Sequence, residues 1–271
     1  MKGLINFFKG IAVGIATLVP GVSGGTMSII LGIYDNLIHS ISSFFQDWKK
    51  NLLFLGEVAL GGLLGMACFS SLLENALIRY PYVMKFFFMG VIFGGLPILY
   101  KKAETSKDNG SGIVYFVIGA VLVLAMSSQP TAVTTLATST GILSIIFLFI
   151  AGIIIAVALI LPGISGSFML LALGLYDVTL NAINTFNVPF LIPLALGVFV
   201  GTVATTKTIE KLLQKHPRKT YMLILGFILG SLVEVYPGIP AYGEVVASIV
   251  AAIVGFILIF WMSKKEFQSE N

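Results

Sequence analysis

The stretch LVPGVSGGTMSIILGIYD, beginning at Leu18, returns 142 residues downstream as LILPGISGSFMLLALGLYD. Between Pro20 to Ile41 and Pro162 to Ile183, 10 of 22 positions are identical, among them both Pro-Gly-x-Ser-Gly runs and both Leu-Gly-x-Tyr-Asp runs. The correspondence resumes at an offset of 136, pairing Gly61 with Gly197, Gly65 with Gly201, Glu74 with Glu210, Pro81 with Pro217, Gly90 with Gly226 and Gly94 with Gly230. A chain that carries one pattern twice is a duplication, so the two copies must fold alike. Each copy reads as four apolar segments. They fall at about 10–39, 51–73, 82–100 and 112–127 within residues 1–128, and at about 142–181, 189–206, 220–236 and 243–262 within residues 142–262.

Composition decides the solvent. With 57% hydrophobic and 10% charged residues, the chain cannot cover itself with a water-soluble surface and is an integral membrane protein. Its apolar blocks are helix-length rather than alternating ten-residue strands, which excludes a barrel and leaves an all-α fold. The single cysteine, Cys68, rules out a disulfide framework and reads as packing in the lipid phase. Lys2 and Lys9 before an apolar run imitate a signal peptide, but no small-x-small site follows, so this segment is expected to stay in the mature protein. The net charge of +4 reads as loop lysines on the cytoplasmic side, not as a nucleic-acid patch.

Loop charges also orient the copies. The cations from Lys2 and Lys9 through Lys49, Lys50, Lys101, Lys102, Lys107, Lys207, Lys211, Lys215, Arg218 and Lys219 to Lys264 and Lys265 belong in the cytoplasm. The loops 127–141, 184–188 and 236–243 belong outside. The first broken segment then has cytoplasm at both ends and the second has the exterior at both ends. The expected architecture is two inverted-topology repeats, each a re-entrant helical hairpin plus three transmembrane helices, with both termini cytoplasmic. Only the loop with Arg79 and Lys85 breaks the charge rule, partly offset by Glu74. The first arm of the first hairpin, about Gly10 to Val19, has re-entrant length, whereas Ile142 to Leu161 is long enough to span, so a full two-span hairpin stays open for the second copy.

Proline removes a backbone donor and glycine accepts unusual dihedrals, so Pro20-Gly21 and Pro162-Gly163 are turns. In hydrocarbon each freed backbone group costs several kcal/mol, which confines such turns to the protein interior or the wall of a wet cavity. Ser23 and Thr26 in one copy, and Ser165 and Ser167 in the other, can cap the following helices, whose first N–H groups carry about +0.5 of a charge. With Gly24, Gly25 and Gly166 allowing close approach, each turn reads as an anion site. The alternative is that these small residues only let the hairpin tips pack tightly.

On these residues, PGVSGGT and PGISGS each leading into LGxYD at Leu31 to Asp35 and Leu173 to Asp177, the chain resembles the bacterial polyprenyl-phosphate transporter family over nearly its whole length. The resemblance implies recycling of undecaprenyl phosphate, the lipid carrier of cell-wall precursors, between leaflets of the cytoplasmic membrane, with no catalytic residue and no cofactor. The coupling ion, proton or sodium, is unspecified, as is the oligomeric state. Ser167 and Phe168 stand where the first copy has Gly25 and Thr26, so the two tips are expected to hold a headgroup unequally. Membrane lipid is the other expected partner, since a prenyl tail costs ~0.8 kcal/mol per methylene-sized group to bring into water and must stay in lipid.

Secondary candidates are polar residues near the membrane. Glu57 lies inside an expected span, as a functional carboxylate or as a hydrogen-bond partner for a neighbouring helix. Asp35 and Asp177 read as polar ends of the second hairpin arms, with Tyr34 and Tyr176 as aromatic-belt residues. Arg79 and Lys215, before Pro81 and Pro217, are either phosphate captors or solvated loop cations. His39 and His216 have no partners at metal-ligand spacing, so no metal is expected. A rival reading is a polyprenyl-pyrophosphate phosphatase, which uses a similar Pro-Gly-x-Ser motif followed by arginine, where Gly24 and Gly166 stand here. Another is a carrier for a small soluble anion.

Overall fold

The computed structural model describes residues 2–19, 22–104, 112–127, 141–240 and 242–270. Among them all regular structure is helical. The first copy comprises α1 (Lys2–Thr17), α2 (Gly24–Ile30), α3 (Tyr34–Ser42), α4 (Trp48–Arg79), α5 (Pro81–Glu104) and α6 (Gly112–Ser127). The second comprises α7 (Ile142–Ile160), α8 (Gly166–Ala172), α9 (Tyr176–Asn184), α10 (Val188–Lys215), α11 (Pro217–Val235) and α12 (Val245–Glu270).

Two local features depart from the hydropathy reading. The first arm is 16 residues long rather than ten, about 24 Å at 1.5 Å per residue, because Lys2, Asn6 and Lys9 interrupt the apolar run without interrupting the helix. The second arm of each copy is two helices, not one. Gly32, at φ +68°, closes α2 with its N–H on Ile29 O and with Ile33 N–H on Ser28 O at 2.9 Å, a glycine-terminated helix end. Gly174, at φ +66°, does the same for α8, with Leu175 N–H on Leu170 O at 2.8 Å. Leu-Gly-x-Tyr-Asp is therefore a stop followed by a start. Asp35 and Asp177 consequently stand in the first turns of α3 and α9, where a carboxylate suits the helix dipole, and not at the ends of the arms.

Packing is set by small residues. α1 lies on α4 and α7 on α10; α5 pairs with α12 and α6 with α11, while α5 and α11 also meet each other. A side chain on Gly61 would strike the carbonyl of Phe7, and one on Gly197 that of Phe149, so these helices touch backbone to backbone. Ile92 and Leu99 of α5 and Ile224 and Ile228 of α11 are almost wholly buried, as are Ile33 and Leu175 in the two glycine turns. Outward faces carry Leu60, Leu63, Ile145, Phe199, Ile253 and Ile257, a surface fit for lipid and not for water. Helices α4, α5, α7 and α10 are each long and apolar enough to cross a membrane. The protein is an all-α, multi-pass membrane protein.

Candidate functional site

Ser23, just after the first break, touches Gly163 of the second, 140 residues away in sequence. Ser23 is the N-cap of α2: its backbone is extended (φ −93°, ψ 146°) and its Oγ accepts the N–H of Thr26 at 3.1 Å. The same oxygen accepts the N–H of Gly163 at 3.0 Å, and Thr26 Oγ1 shares that donor at 2.9 Å. Ser23 Oγ and Thr26 Oγ1 lie 2.9 Å apart. Proton count fixes the direction between them. With both lone pairs of Ser23 Oγ taken by N–H donors, Ser23 donates to Thr26 Oγ1, and the threonine proton is the one left over. Gly163 reaches this position at φ +85°, with Phe227 and Ile228 of α11 pressed so close behind it that a Cβ would meet their backbone. Pro162 and Thr26 are nearly inaccessible, at the centre of the molecule.

A cavity of about 530 Å³ opens beside this contact. Ser23, Gly24, Gly25 and Ser28 form its polar wall from the first copy, and Ser165 and Gly166 from the second; Thr17 and Tyr34 complete it. Leu37, Ile38 and Ile41 of α3 face Ile155, Leu159 and Leu170 across an apolar remainder. Leu159 is half exposed on the molecular surface, so the apolar side reaches the region of lipid. In the first turn of α2 the N–H of Thr26 goes to Ser23 Oγ and that of Met27 to Ser23 O. The N–H groups of Gly24, Gly25 and Gly166 have no acceptor among the described residues. Helix starts of this kind leave donors for a ligand.

The sequence-predicted residues thus divide. Gly24, Gly25, Ser165 and Gly166 border the cavity and Ser23 borders it while capping α2; Thr26, Pro162 and Gly163 form the buried contact behind it. Pro20, Gly21 and the side chain of Ser167 lie outside the described residues. None of the secondary candidates reaches the cavity. Asp35 Oδ2 receives Lys102 Nζ at 3.1 Å and the Tyr221 hydroxyl at 2.8 Å, tying α3 to α5 and α11. Asp177 is exposed, with no polar partner among the described residues. Glu57 accepts from Asn6 Nδ2 at 2.9 Å, joining α4 to α1 in the hydrogen-bonding role. Arg79 stacks on Tyr80 at 5.6 Å, and Lys215 is exposed beside Lys207 and Lys211.

Three residues of the cavity wall escaped the sequence reading. Tyr34 is 4% exposed, not an aromatic-belt residue, and donates its hydroxyl to Ile160 O at 3.1 Å, capping the last turn of α7. Thr17 and Ser28 donate to Gly14 O and Gly24 O, each at 2.7 Å. Their signal was polarity within an apolar run, one turn before and one turn after the break. His39 Nδ1 lies 2.5 Å from Glu210 Oε1, and Ser42 donates to Glu210 Oε2, which docks α3 on α10.

The chain has known relatives along nearly its whole length. It is similar to the polyprenyl-phosphate transporter of Staphylococcus aureus, with 38% identity over 281 aligned residues covering 98% of both chains. It is also similar to the polyprenyl-phosphate transporter of Vibrio cholerae, with 31% identity over 257 aligned residues, 88% of this chain and 79% of the other. No solved structure gives a significant match. Residues 13–253, a span that includes both breaks and the cavity, match the undecaprenyl phosphate translocase-like family, and the chain belongs to that family.

Proposed function

We propose that this protein moves polyprenyl phosphate, undecaprenyl phosphate in particular, between the leaflets of the bacterial cytoplasmic membrane for reuse in cell-envelope synthesis. The phosphate sits against the helix starts at Ser23 to Gly25 and Ser165 to Gly166, while the prenyl chain trails past Leu159 into lipid. The single observation that carries this reading is one cavity with two unlike walls. Both breaks supply hydroxyls and backbone N–H groups with no acceptor among the described residues on one side, and aliphatic side chains lead to the surface on the other. Both names of the similar proteins agree with it.

Among the described residues the cavity wall contains no lysine or arginine. Neutral donors bind an anion more weakly than charged ones, and a carrier must let its cargo go. The same wall argues against phosphatase chemistry, which needs a base and concentrated positive charge at the reacting phosphorus. We place the two copies in inverted topology, each with a re-entrant hairpin that ends at its break. Supporting this are the charge asymmetry of the loops and the recurrence of corresponding pairs, α1–α4 with α7–α10 and α5–α12 with α11–α6.

The test is reconstitution of the pure protein into liposomes, with leaflet-resolved measurement of undecaprenyl phosphate and of released inorganic phosphate. Redistribution of the intact lipid supports the proposal. Release of phosphate would make the protein an enzyme, and uptake of a soluble anion with the lipid unmoved would make it an ion carrier.

A further inference from the structure

The two copies match in sequence but not in docking. In the first, α3 packs along α10 and α2 packs on α5. The counterparts, α9 on α4 and α8 on α11, make no comparable contact among the described residues. Side chains repeat the asymmetry. Asp35, in the first turn of α3, is held by Tyr221 of α11 and Lys102 of α5, and Lys102 lies 6.0 Å from the centre of the Tyr221 ring. Asp177, its equivalent in α9, has no partner among the described residues.

The offset that pairs Pro81 with Pro217 and Gly90 with Gly226 pairs Lys85 with Tyr221. Where α11 offers a hydroxyl to Asp35, α5 offers an ammonium to Asp177. Extended lysine and tyrosine side chains reach about equally far from the backbone, so the exchange keeps the geometry and adds charge. Lys85 is half-buried and carries no ion pair among the described residues. It is also one of the two cations that break the charge pattern of the loops, and a cation retained on the outer face against that pattern needs a carboxylate to meet.

The geometry points to a second latch: Asp177 and Lys85 pair on the face opposite Asp35, Lys102 and Tyr221 when the two copies exchange conformations, so that one latch is made while the other is parted. This rests on the inverted-repeat reading above. A ligand or a gate shifts such an equilibrium only by contacts present in one state and absent in the other, and each latch is such a contact. The structure is the state with the first latch made.

The test uses full-length protein in liposomes, in a Cys68→Ala background, with undecaprenyl phosphate as the probe. Lys85→Cys with Asp177→Cys is treated with a short bis-maleimide. Cross-linking that stops lipid movement, with neither single cysteine affected, supports the latch; absence of cross-linking overturns it. Independently, Asp177→Lys should slow movement roughly tenfold, the effect of about 1.4 kcal/mol. Adding Lys85→Asp should bring it back, and failure of the pair to recover while it remains folded and membrane-inserted overturns the proposal. Membrane-impermeant maleimide on the single cysteines separates the two readings. Labelling of positions 85 and 177 from opposite sides sinks the inverted repeat itself, whereas labelling of both from outside without cross-linking sinks the latch alone.

Discussion

Thr26 and Ser23 carry the contact between the breaks, and their replacements should differ in kind from those of the cavity wall. Thr26→Val keeps the shape but removes one of the two acceptors of the Gly163 N–H, and the acceptor of the Ser23 hydroxyl, in a buried site. The expected cost is about 1 to 3 kcal/mol, read as a lowered melting temperature of the purified protein. Ser165→Ala borders the cavity instead, and should weaken undecaprenyl phosphate binding by roughly ten- to a hundredfold, the worth of a hydrogen bond to a charged ligand. Unchanged affinity with a depressed melting temperature would return Ser165 to a packing role. Gly163→Ala combines a left-handed backbone with a collision against Phe227 and Ile228, neither of which can be relieved by a rotamer change. It should lower stability by more than about 1 kcal/mol, measured by thermal unfolding in detergent. The residue types at the breaks were legible from the repeat, because Pro-Gly-x-Ser-Gly inside an apolar run has few uses. That Ser23 and Thr26 bond to the other break was not legible, since their partner is a backbone N–H, a group every residue but proline carries.

Elements meet here through glycine, and one helix provides both the test and its control. On α4, a Cβ at Gly61 would overlap the carbonyl of Phe7 in α1, while Gly56 has open space around it. Gly61→Val should reduce folded yield and melting temperature by forcing α1 off α4. Gly56→Ala should be neutral or stabilising by up to about 1 kcal/mol, since alanine is the better helix former. Equal effects of the two substitutions, measured by fluorescence-detected gel filtration after heating, would show that helix propensity, not approach distance, governs α4. Hydropathy stopped nine residues short of the end of α10 and eight short of the end of α12, and it merged α2 with α3 and α8 with α9. Apolar character continues through Gly32 and Gly174 while the backbone does not. It also shortened α1, because polar residues on one face do not end a helix.

At the scale of the molecule, the expected arrangement puts position 49 inside and position 139 outside. Lys49→Cys and Ser139→Cys in a Cys68→Ala background should label from opposite faces of right-side-out vesicles, and labelling of Lys49→Cys alone from outside would undo the inverted repeat. Cys68 is exposed among lipid-facing residues, so its removal should leave lipid movement unchanged. The sequence by itself determined the solvent, the helical class, the duplication and the places where the backbone breaks, for these depend on residue type and spacing along the chain. Tertiary structure alone decided that Ser23 and Thr26 face Gly163, that Glu57 is occupied by Asn6, and that Asp35 has partners while Asp177 has none among the described residues. Those pairings are made across 51 to 186 residues of chain, between helices whose separation is set by which glycines lie opposite which carbonyls. No local pattern records that distance, because hydropathy scores a residue against its solvent and a hydrogen bond scores it against one particular neighbour.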